Sequence, residues 1–512
     1  MNKNIYITTP IYYVNGEPHI GHFYTTLACD VLIRLYQKAG CDVRYLTGTD
    51  EHGQKVQQSA IKKGISTKEF CDEVSNKFKQ MIIDFDLIQS NNNFNNGASF
   101  IRTTDEKHVK FVQEVWNRLE QNGWIYKGKY EGWYSVRDEC FYTDSELVDG
   151  KAPTGSEVKR QEEECYFFKL SLFQDALYQL YSNNNILQPK GALCEILSFL
   201  DKENKLNDLC VSRTKNNFDW GIEVPSDNKH TIYVWIDALF NYFSALGGDN
   251  SDEFNKYWKN GFPIHIMGKE IVRFHAVYWE SLIYGLYHNA EDKIDVDELK
   301  KVSPKQIFAH GWWIKDGEKM SKSLGNVVSP TDEIAWLQEL GIQKEVAIDY
   351  FRFFLLYATV FGYDGDYSRD KLIETVNAHI VNNLGNLTQR VSSMLVKNFP
   401  EKCKDIDKSF TKIDFKDEIK NIDFTSILQK IFNISTALNQ EFDSATPWVL
   451  MKGDDNDKQK AFDILSSFIP RIISLVDALE PFCPHICKML MENLKLKQMP
   501  KIICNRIAIK KN

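Results

Sequence analysis

The sequence lacks any uninterrupted apolar run near the roughly 18 residues that a membrane-spanning helix needs. Its first residues, MNKNIYITTPIYY, contain neither the apolar stretch and small-residue cleavage site of a secretory signal nor the arginine-rich pattern of a transit peptide. We therefore expect a cytoplasmic protein that has no membrane partner.

The sequence also lacks a dense cysteine framework. Its 11 cysteines are scattered along 512 residues, so reduced thiols are expected rather than a disulfide scaffold. The nearest pair in the sequence, Cys483 and Cys487, flanks His485 in a helical pattern. Buried thiols in a helical bundle are favoured there over a metal site.

A strong excess of basic residues is missing as well. Lysine and arginine total 62 against 70 aspartates and glutamates, which gives a net charge of -8. This balance does not indicate a nucleic-acid partner, but it does not exclude one, because local patches decide such binding. The hydrophobic fraction of 43% is sufficient for several cores, and the length predicts roughly three or four domains.

The N-terminal region has the pattern of a βαβ unit. Residues 5–9 alternate apolar and polar side chains, as in a strand, and a glycine-containing loop follows at 14–21. Apolar residues then recur every four positions over 22–39, which predicts an amphipathic helix, and 42–47 form a second strand pattern. This order is typical of a doubly wound, Rossmann-type α/β domain with a parallel sheet.

The rest of the chain predicts an interruption of that domain and an added bundle. Short runs of aromatic, glycine and acidic residues indicate a small insertion, strand patterns return at 231–236 and 263–267, and the pattern is nearly all helical from about 371. We predict five segments: the first half of the α/β domain at 1–114, the insertion at 115–228, the second half of the α/β domain at 229–318, a loop and connecting region at 319–370, and an all-α helical bundle at 371–512.

The first motif that indicates chemistry is Pro18-His19-Ile20-Gly21-His22, between the first strand and helix. A helix N-terminus presents N–H groups and partial positive charge to a phosphate, and Gly21 lets a nucleotide approach the backbone. His19 and His22 are three residues apart, so both can donate to charge that develops at one phosphorus. Taken alone, two unrelated histidines near a turn are an equally good interpretation.

The second motif is Lys319-Met320-Ser321-Lys322-Ser323. Two lysines that flank small residues on a loop can neutralise a departing pyrophosphate. Taken alone, a solvated basic loop is the better interpretation of such a segment.

Together, in this order and on an α/β background, the two motifs are the signature of class I aminoacyl-tRNA synthetases. Four longer segments resemble the methionyl-tRNA synthetase family: Pro10-Ile11-Tyr12-Tyr13-Val14-Asn15-Gly16, Thr49-Asp50-Glu51-His52-Gly53, Tyr233-Val234-Trp235-Ile236-Asp237-Ala238 and Gly268-Lys269-Glu270-Ile271-Val272-Arg273-Phe274-His275. The resemblance covers nearly the whole chain. It implies ATP-dependent activation of L-methionine to methionyl-adenylate, with Mg²⁺, and transfer to the 3′ end of tRNA(Met).

The resemblance also implies roles for individual residues. The catalytic donors would be His19, His22, Lys319 and Lys322. The ATP-binding residues would be His19, Gly21, His22, Gly268, Glu270 and Lys322. The methionine pocket would contain Ile11, Tyr13, Asp50, Trp235, Ala238, Leu239, Tyr242, Ile271, Phe274, His275 and Trp279, with Asp50 on the α-ammonium group. Without the resemblance, the aromatic residues are ordinary core residues, Asp50 a helix cap and Glu270 an exposed charge.

The insertion departs from many relatives, which carry a zinc knuckle there. Ser135 and Asp138 stand at the first two ligand positions, and Ala152 and Gly155 stand near the second pair. A tetrahedral zinc site needs four N, S or O donors, which this set does not supply. We therefore expect ATP and Mg²⁺, but no zinc.

In the helical segment, the resemblance places readers of a CAU anticodon at Asn386, Arg390 and Trp448. Asn386 and Arg390 are four apart and share a helix face, and Trp448 offers a plane on which a base can stack. The alternative is a capped helix with a packed tryptophan.

Two other functions stay open. Class I enzymes for leucine, isoleucine and valine carry a large editing insertion, and 115–228 is short for one; a cysteine-specific enzyme would need zinc ligands. A catalytically inactive tRNA-binding homologue is disfavoured because both histidines and both lysines are present. Since no added dimerising domain follows the bundle, we expect a monomer.

Overall fold

The computed structural model describes residues 3–88, 98–137, 140–142, 144–215, 219–320 and 325–508. The chain forms two compact units, one made of Met1–Pro18 and Tyr36–His310, the other of His19–Leu35 and Gly311–Asn512. Helix α1, Ile20–Lys38, therefore contributes most of its length to the second unit. No helix in the described ranges is both long enough and apolar enough to cross a bilayer.

The first unit combines a parallel sheet with two smaller antiparallel sheets. Its strands are β1 Asn4–Thr8, β2 Tyr12–Tyr13, β3 Asp42–Asp50, β4 Ala98–Arg102, β5 Ile125–Ser135, β6 Cys140–Tyr142, β7 Lys159–Phe168, β8 Leu187–Gln188, β9 Leu209–Cys210, β10 Ser212–Thr214, β11 Glu223–Val224, β12 Asp227–Ile232, β13 Phe262–Gly268 and β14 Gln306–His310.

Helices cover the strands of this unit. They are α2 Gln54–Lys63, α3 Thr67–Asp84, α4 Glu106–Gln121, α5 Gln174–Asn183, α6 Lys190–Phe199, α7 Val234–Leu239, α8 Asn241–Ser244, α9 Asp252–Phe254, α10 Glu280–Tyr287 and α11 Val296–Val302. Shorter 3₁₀ turns occur at Asp144–Glu146, Leu170–Phe173 and Lys269–Ile271, and π-helical turns at Asn255–Lys259 and Phe274–Trp279.

The parallel sheet has the strand order β4-β3-β1-β13-β14-β8, and β2 also pairs with the end of β3. Continuous apolar runs such as Ile5-Tyr6-Ile7 are buried because helices cover such sheets on both faces. The carboxyl ends of β2, β3 and β13 carry Tyr13, Asp50 and Gly268. Open parallel sheets bind ligands at this edge.

The predicted insertion contains a sheet of order β6-β5-β7-β9 and a second of order β10-β12-β11, both antiparallel. The strand predicted at 231–236 is only half right. β12 ends at Ile232, and Val234–Leu239 is the helix α7. Short apolar runs have no period that separates a buried strand from a buried helix, so the pattern could not locate this boundary.

The second unit is mostly helical. Its strands are β15 Trp313–Lys315, β16 Glu318–Lys319 and β17 Gly365–Tyr367. Its helices after α1 are α12 Pro330–Glu339, α13 Lys344–Tyr357, α14 Arg369–Val376, α15 Asn386–Asn398, α16 Lys416–Asn421, α17 Phe424–Ala445, α18 Pro447–Leu450, α19 Asp455–Leu479 and α20 Pro484–Leu494, with a π-helical stretch at Asn377–Gly385 and a 3₁₀ turn at Pro400–Asp405. The prediction of a Rossmann-type domain followed by helices is confirmed.

A buried ion pair lies in the core of the second unit. The Asp30 carboxylate accepts from Arg352 at 2.6 Å and from Arg34 at 3.0 Å, and Asp30 and Arg352 are fully buried. Burial alone would raise the pKa of Asp30, but the two guanidinium groups hold it below its usual value. Arg352 also donates to the carbonyls of Pro481 and Phe482. The ion pair thus connects α1 to residues that precede α20.

Candidate active site

The carboxyl edge of the parallel sheet places Tyr13 beside Asp50. The two residues are in register between β2 and β3, and the Val14 N–H donates to the Asp50 carbonyl at 3.2 Å. Tyr13 and Asp50 are both partly exposed, and Lys55 lies 5.8 Å from the centroid of the Tyr13 ring. The edge therefore presents a carboxylate where an ammonium group can reach it.

Buried charge fixes the chain directly after Asp50. The carboxylate of Glu51 is fully buried and accepts two hydrogen bonds from Arg102, at 2.6 and 2.9 Å. Thr104 donates to the same carboxylate at 2.5 Å. A bidentate guanidinium contact of this kind restricts orientation as well as distance, so the backbone next to Asp50 is held in one position.

A second buried carboxylate connects this segment to α7. Asp237 accepts from Nδ1 of His52 at 2.6 Å and from Nε2 of His108 at 2.8 Å. Burial would raise the pKa of Asp237, but the two imidazoles lower it, so the carboxylate stays ionised. The sequence analysis gave none of these three residues a role, although His52 and Asp237 lie inside the family segments. No spacing in the sequence predicts that His108 contacts Asp237, which is 129 positions away.

Aromatic rings surround the other side of α7. Trp235 and Phe274 stack with ring centroids 3.6 Å apart and planes 9° from parallel. The centroid of the Tyr242 ring lies 5.5 Å from that of Trp279, and Trp235 meets His275 edge-on at 6.5 Å. A flexible thioether makes favourable contacts with such rings. The structure thus brings together five of the predicted methionine-pocket residues.

His275 is held as a neutral imidazole inside this aromatic group. Its Nδ1 lies 3.1 Å from the Ile271 carbonyl, and the Tyr242 hydroxyl lies 2.8 Å from its Nε2. Because a carbonyl only accepts, these partners assign the proton to Nδ1, and Tyr242 donates to Nε2. Burial lowers the pKa of His275 to about 4. The His275 side chain is therefore uncharged at neutral pH.

A second buried histidine, which the sequence analysis did not select, supports the same rings. His265 on β13 stacks on Tyr242 at 4.2 Å, and its Nε2 accepts from the Trp279 indole at 3.2 Å. Its Nδ1 lies 2.7 Å from the Thr8 hydroxyl and carries the proton. Burial holds the pKa of His265 well below its usual value. Only the β1–β13 pairing, which opposes Thr8 and His265, could have identified it.

The remaining pocket residues line the same helix or neighbouring core. Ala238 and Leu239 are buried on α7, and Ile11 packs against the same hydrophobic core. Tyr13 packs instead against a smaller cluster that includes Phe78. Tyr13 is thus the one pocket residue whose ring belongs to a different apolar group.

Gly268 and Glu270 lie at the end of β13 and in the turn that follows. A Cβ on Gly268 would come within 2.4 Å of a Glu270 carboxylate oxygen. The missing side chain lets this carboxylate fold back over the backbone at the sheet edge. A carboxylate in such a place can accept hydroxyls of a ribose.

In the second unit, His19 and His22 lie at the start of α1. Their ring centroids are 3.9 Å apart. The Gly21 N–H donates to Nδ1 of His19 at 3.1 Å, and the His19 N–H donates to Nδ1 of His22 at 3.2 Å. A nitrogen that accepts carries no proton, so both neutral rings carry theirs at Nε2. The two imidazoles are donors through Nε2.

The idea that the first N–H groups of α1 meet a phosphate directly needs correction. The Ile20 N–H donates to the Val328 carbonyl at 3.1 Å, and the Gly21 N–H is taken by His19. A Cβ at Gly21 would lie 2.9 Å from the His19 ring, so glycine makes room for the imidazole. These two N–H groups are therefore bonded within the protein rather than presented to a phosphate.

Lys319 lies on β16, the second strand of a hairpin. The hairpin turn contains Asp316 and Gly317, with φ values of 55° and 75°, a turn that favours Asp-Gly. The Lys319 ammonium lies 3.6 Å from the centroid of the Trp312 ring. Lys322 and the neighbouring Ser321, Ser323 and Leu324 lie outside the described residues.

The three residues predicted to read an anticodon lie close together in the second unit. Asn386 is the first residue of α15 and is exposed, one turn before Arg390. The Arg390 guanidinium lies 5.2 Å from the Trp448 ring centroid, and it donates to Asp443 at 2.9 Å. Trp448 is partly exposed. The group combines an amide, a cation and an aromatic plane on one surface.

One of the four positions of the family's zinc knuckle, Ser135, bonds to neighbouring hydroxyl groups. Ser135 bonds to Ser156 at 2.8 Å, and Ser156 bonds to Thr154 at 2.9 Å. Ser135 and Ser156 are buried, as is Ala152, whose N–H donates to the Ser156 carbonyl at 3.0 Å. Asp138 lies outside the described residues. Within the described ranges, no three or more histidine, cysteine, aspartate or glutamate residues are grouped as metal ligands.

Comparisons with known proteins agree with this geometry. The family model "tRNA synthetases class I (M)" matches residues 5–165 and 152–392. The methionine–tRNA ligase of Rickettsia conorii is 40% identical over 98% of this chain and 95% of its own length, and that of Caldanaerobacter subterraneus is 38% identical over 97% and 75%. The Mycobacterium tuberculosis methionyl-tRNA synthetase in complex with methionyl-adenylate superposes with a TM-score of 0.82, at 34% identity, over 96% of this chain and 93% of that one.

Proposed function

The chain belongs to the methionyl-tRNA synthetase family of class I aminoacyl-tRNA synthetases, and we propose how its residues carry out methionine–tRNA ligation. As a methionine–tRNA ligase, it activates L-methionine with ATP and transfers the methionyl group to the 3′ end of tRNA(Met). In the first step, a methionine carboxylate oxygen attacks the α-phosphorus of ATP, the bond to the bridging oxygen breaks, and pyrophosphate leaves. In the second step, a terminal ribose hydroxyl of the tRNA takes the acyl group and AMP leaves.

We propose that Asp50 binds the α-ammonium group and that the rings around α7 bind the side chain. The observation that carries this assignment is the neutral chain Tyr242–His275–Ile271 within the Trp235–Phe274 aromatic group. An uncharged, buried polar pair suits a thioether, which is a weak acceptor and carries no charge. The Glu51–Arg102 and His52–Asp237 contacts position both parts of the pocket.

We propose that His19 and His22 donate through Nε2 to the phosphates of ATP, and that Gly268 and Glu270 bind the ribose. Hydrogen-bond donors fixed before the reaction stabilise charge that develops on the phosphoryl oxygens. Lys319 and Lys322 neutralise the departing pyrophosphate. Mg²⁺ enters with ATP and takes most of its ligands from phosphate oxygens and water, as is usual for this ion. No covalent enzyme intermediate is needed.

The test is methionine-dependent exchange of pyrophosphate into ATP, which needs no tRNA. Lys322→Ala should lower the exchange rate by about 100-fold, the order expected for losing one fixed donor to transition-state charge, with little change in the KM for methionine. Lys315→Ala on β15 is the matched control and should stay within about twofold, as expected of a lysine outside the charge-stabilising set. An unchanged rate in Lys322→Ala would contradict the role of Lys322.

We propose that Asn386, Arg390 and Trp448 read a CAU anticodon, and that the insertion at 115–228 guides the acceptor end of tRNA. Trp448→Ala should lower kcat/KM for tRNA about 10-fold or more, the range for loss of one stacked base, and leave pyrophosphate exchange intact. Val449→Ala, the exposed neighbour, is the control. Equal loss of both activities in Trp448→Ala would contradict the assignment.

We further propose that the insertion folds without zinc, since Ser135, Asp138, Ala152 and Gly155 do not supply four metal donors and Ser135 bonds instead to Ser156. Metal analysis of the purified protein that finds one zinc per chain would contradict this. The chain is proposed to act as a monomer in the cytoplasm, where its tRNA substrate is found.

A further inference from the structure

Two cysteines that are 45 positions apart in the sequence meet in the first unit. Cys165 on β7 and Cys210 on β9 have Sγ atoms 2.7 Å apart, a thiol–thiol hydrogen bond rather than a disulfide bond. The strands are antiparallel neighbours, and Phe167 is opposite Cys210. A disulfide bond is about 2.05 Å long, so a small approach of the two sulfurs would join them.

One of the two cysteines lines a cavity. Cys210 lines a cavity of about 710 Å³ whose wall also includes Arg213, Tyr233 and Tyr278. Cys165 does not line this cavity and is 1% exposed. A water molecule occupies about 30 Å³ in the liquid, so a molecule of two or three heavy atoms fits easily. Both cysteines are buried, Cys210 being 5% exposed, but of the two Cys210 is the one beside the cavity.

The Cys210 thiol also has a cationic neighbour. Nη1 of Arg213 lies 3.3 Å from the Cys210 sulfur, and Arg213 is itself buried, with its guanidinium over the Tyr233 ring at 4.6 Å. Burial lowers the pKa of Arg213, but Cys210 and the nearby tyrosines raise it, so the group stays a cation. A fixed cation beside a thiol favours the thiolate, which is the reactive form.

Three other buried thiols in the described part of the chain are shifted strongly away from the thiolate. Burial raises the pKa of Cys29, Cys483 and Cys487 well above the usual value. A thiol of this kind is inert at neutral pH. The combination of an adjacent thiol, a cavity and a guanidinium thus separates Cys210 from these three.

We propose that Cys165 and Cys210 form a dithiol site whose substrate is a hydroperoxide. The Cys210 thiolate attacks one peroxide oxygen; an S–O bond forms, the O–O bond breaks, and hydroxide leaves and takes a proton to become water. The Cys165 thiol then attacks the Cys210 sulfenic acid; the S–S bond forms, the S–O bond breaks, and a second water leaves with the Cys165 proton. Two thiols lose two electrons, and the peroxide gains them. This site is independent of the proposed ligase chemistry.

The experiment exposes the reduced full-length protein to equimolar hydrogen peroxide, blocks the remaining thiols and maps the peptides by mass spectrometry. The expected result is a Cys165–Cys210 disulfide that forms at least ten times faster than Cys194, which is exposed, is oxidised. If Cys194 is oxidised while Cys165 and Cys210 remain reduced, the proposal is wrong. This measurement requires no substitution.

Two variants test the order of attack. In Cys165→Ser, peroxide should stop at the sulfenic acid, and dimedone, which traps that group, should label Cys210. In Cys210→Ser, dimedone should not label Cys165. The reverse labelling pattern would overturn the assignment of Cys210 as the attacking thiol. Cys194→Ser is the matched control and should form the disulfide at the wild-type rate.

Discussion

Two pairs of histidines carry their protons on opposite ring nitrogens. In the first unit, His265 and His275 are buried, carry the proton at Nδ1 and accept through Nε2. In the second unit, His19 and His22 are partly exposed, accept backbone N–H groups at Nδ1 and donate through Nε2. Nε2 is therefore the accepting nitrogen inside the aromatic pocket and the protonated nitrogen at the start of α1.

The difference follows from which partner each Nδ1 meets. Nδ1 of His275 faces a carbonyl, which can only accept, while Nδ1 of His19 faces an N–H, which can only donate. Backbone groups thus decide the proton position before any ligand arrives. Under the proposed roles, His19 and His22 would offer N–H groups to an anion, whereas burial keeps His265 and His275 uncharged.

The largest expected effect is on the rate of pyrophosphate exchange, and it distinguishes the role of Nδ1 from that of Nε2 in His22. An asparagine amide can replace Nδ1, whereas a glutamine amide reaches the position of Nε2 and can donate there. His22→Asn should lower the exchange rate about 100-fold, the order for losing one donor to developing charge, and His22→Gln should retain most of the rate. If asparagine is the better substitute, the assigned tautomer is wrong.

The next effect is a pH dependence of stability. The folded pKa of His275 is about 4 against 6.5 when unfolded, so the unfolded chain binds more protons between these values. The contribution of His275 to the free energy of unfolding is therefore complete above pH 6.5 and is lost as the pH falls from 6.5 through 4. Acidification from pH 8 to pH 4.5 should lower the free energy of unfolding by about 2–3 kcal/mol through His275 alone.

Urea unfolding at the two pH values measures this loss, and His275→Asn provides the comparison. The asparagine amide can still donate to the Ile271 carbonyl, but it does not titrate. The variant should lose less stability on acidification than the wild type. Equal losses in the two proteins would mean that His275 does not titrate as its burial requires.

The smallest expected effect concerns the hydroxyl that meets His275. Tyr242→Phe leaves Nε2 of a buried ring without its donor, which costs about 1–3 kcal/mol. The KM for methionine should rise about tenfold, near the lower end of that range, while kcat for exchange changes little. Tyr284→Phe, a buried tyrosine of the same unit, is the control. A fall in kcat at unchanged KM would move Tyr242 from binding to the chemical step.

Much of the fold could be predicted because its signals are local. The strand at 5–9, the helix at 22–39 and the strand at 42–47 correspond to β1, α1 and β3, and each has its own apolar period. The helical end of the chain was predicted in the same way. The strand predicted at 231–236 was wrong over 234–236, because a run of six residues is too short to show whether its period is that of a strand or of a helix.

The site was only partly accessible from the sequence. His19, His22 and Asp50 lie in motifs, but Asp237, His108 and His265 act through contacts that cross the sheet or join separate helices. Cys165 and Cys210 also meet only through strand pairing. Contacts between distant positions depend on register, which no single segment encodes.

The Asp30–Arg352 ion pair has a geometric consequence for the histidines at the start of the same helix. His22 and Asp30 are eight residues apart, a rise of about 12 Å along α1. A tilt of about 5° around Asp30 would move His22 by about 1 Å, an error that can cost about 100-fold in rate. The orientation of the first turn of α1 therefore depends on the Asp30–Arg352 ion pair, two turns away, whose charges do not touch a substrate.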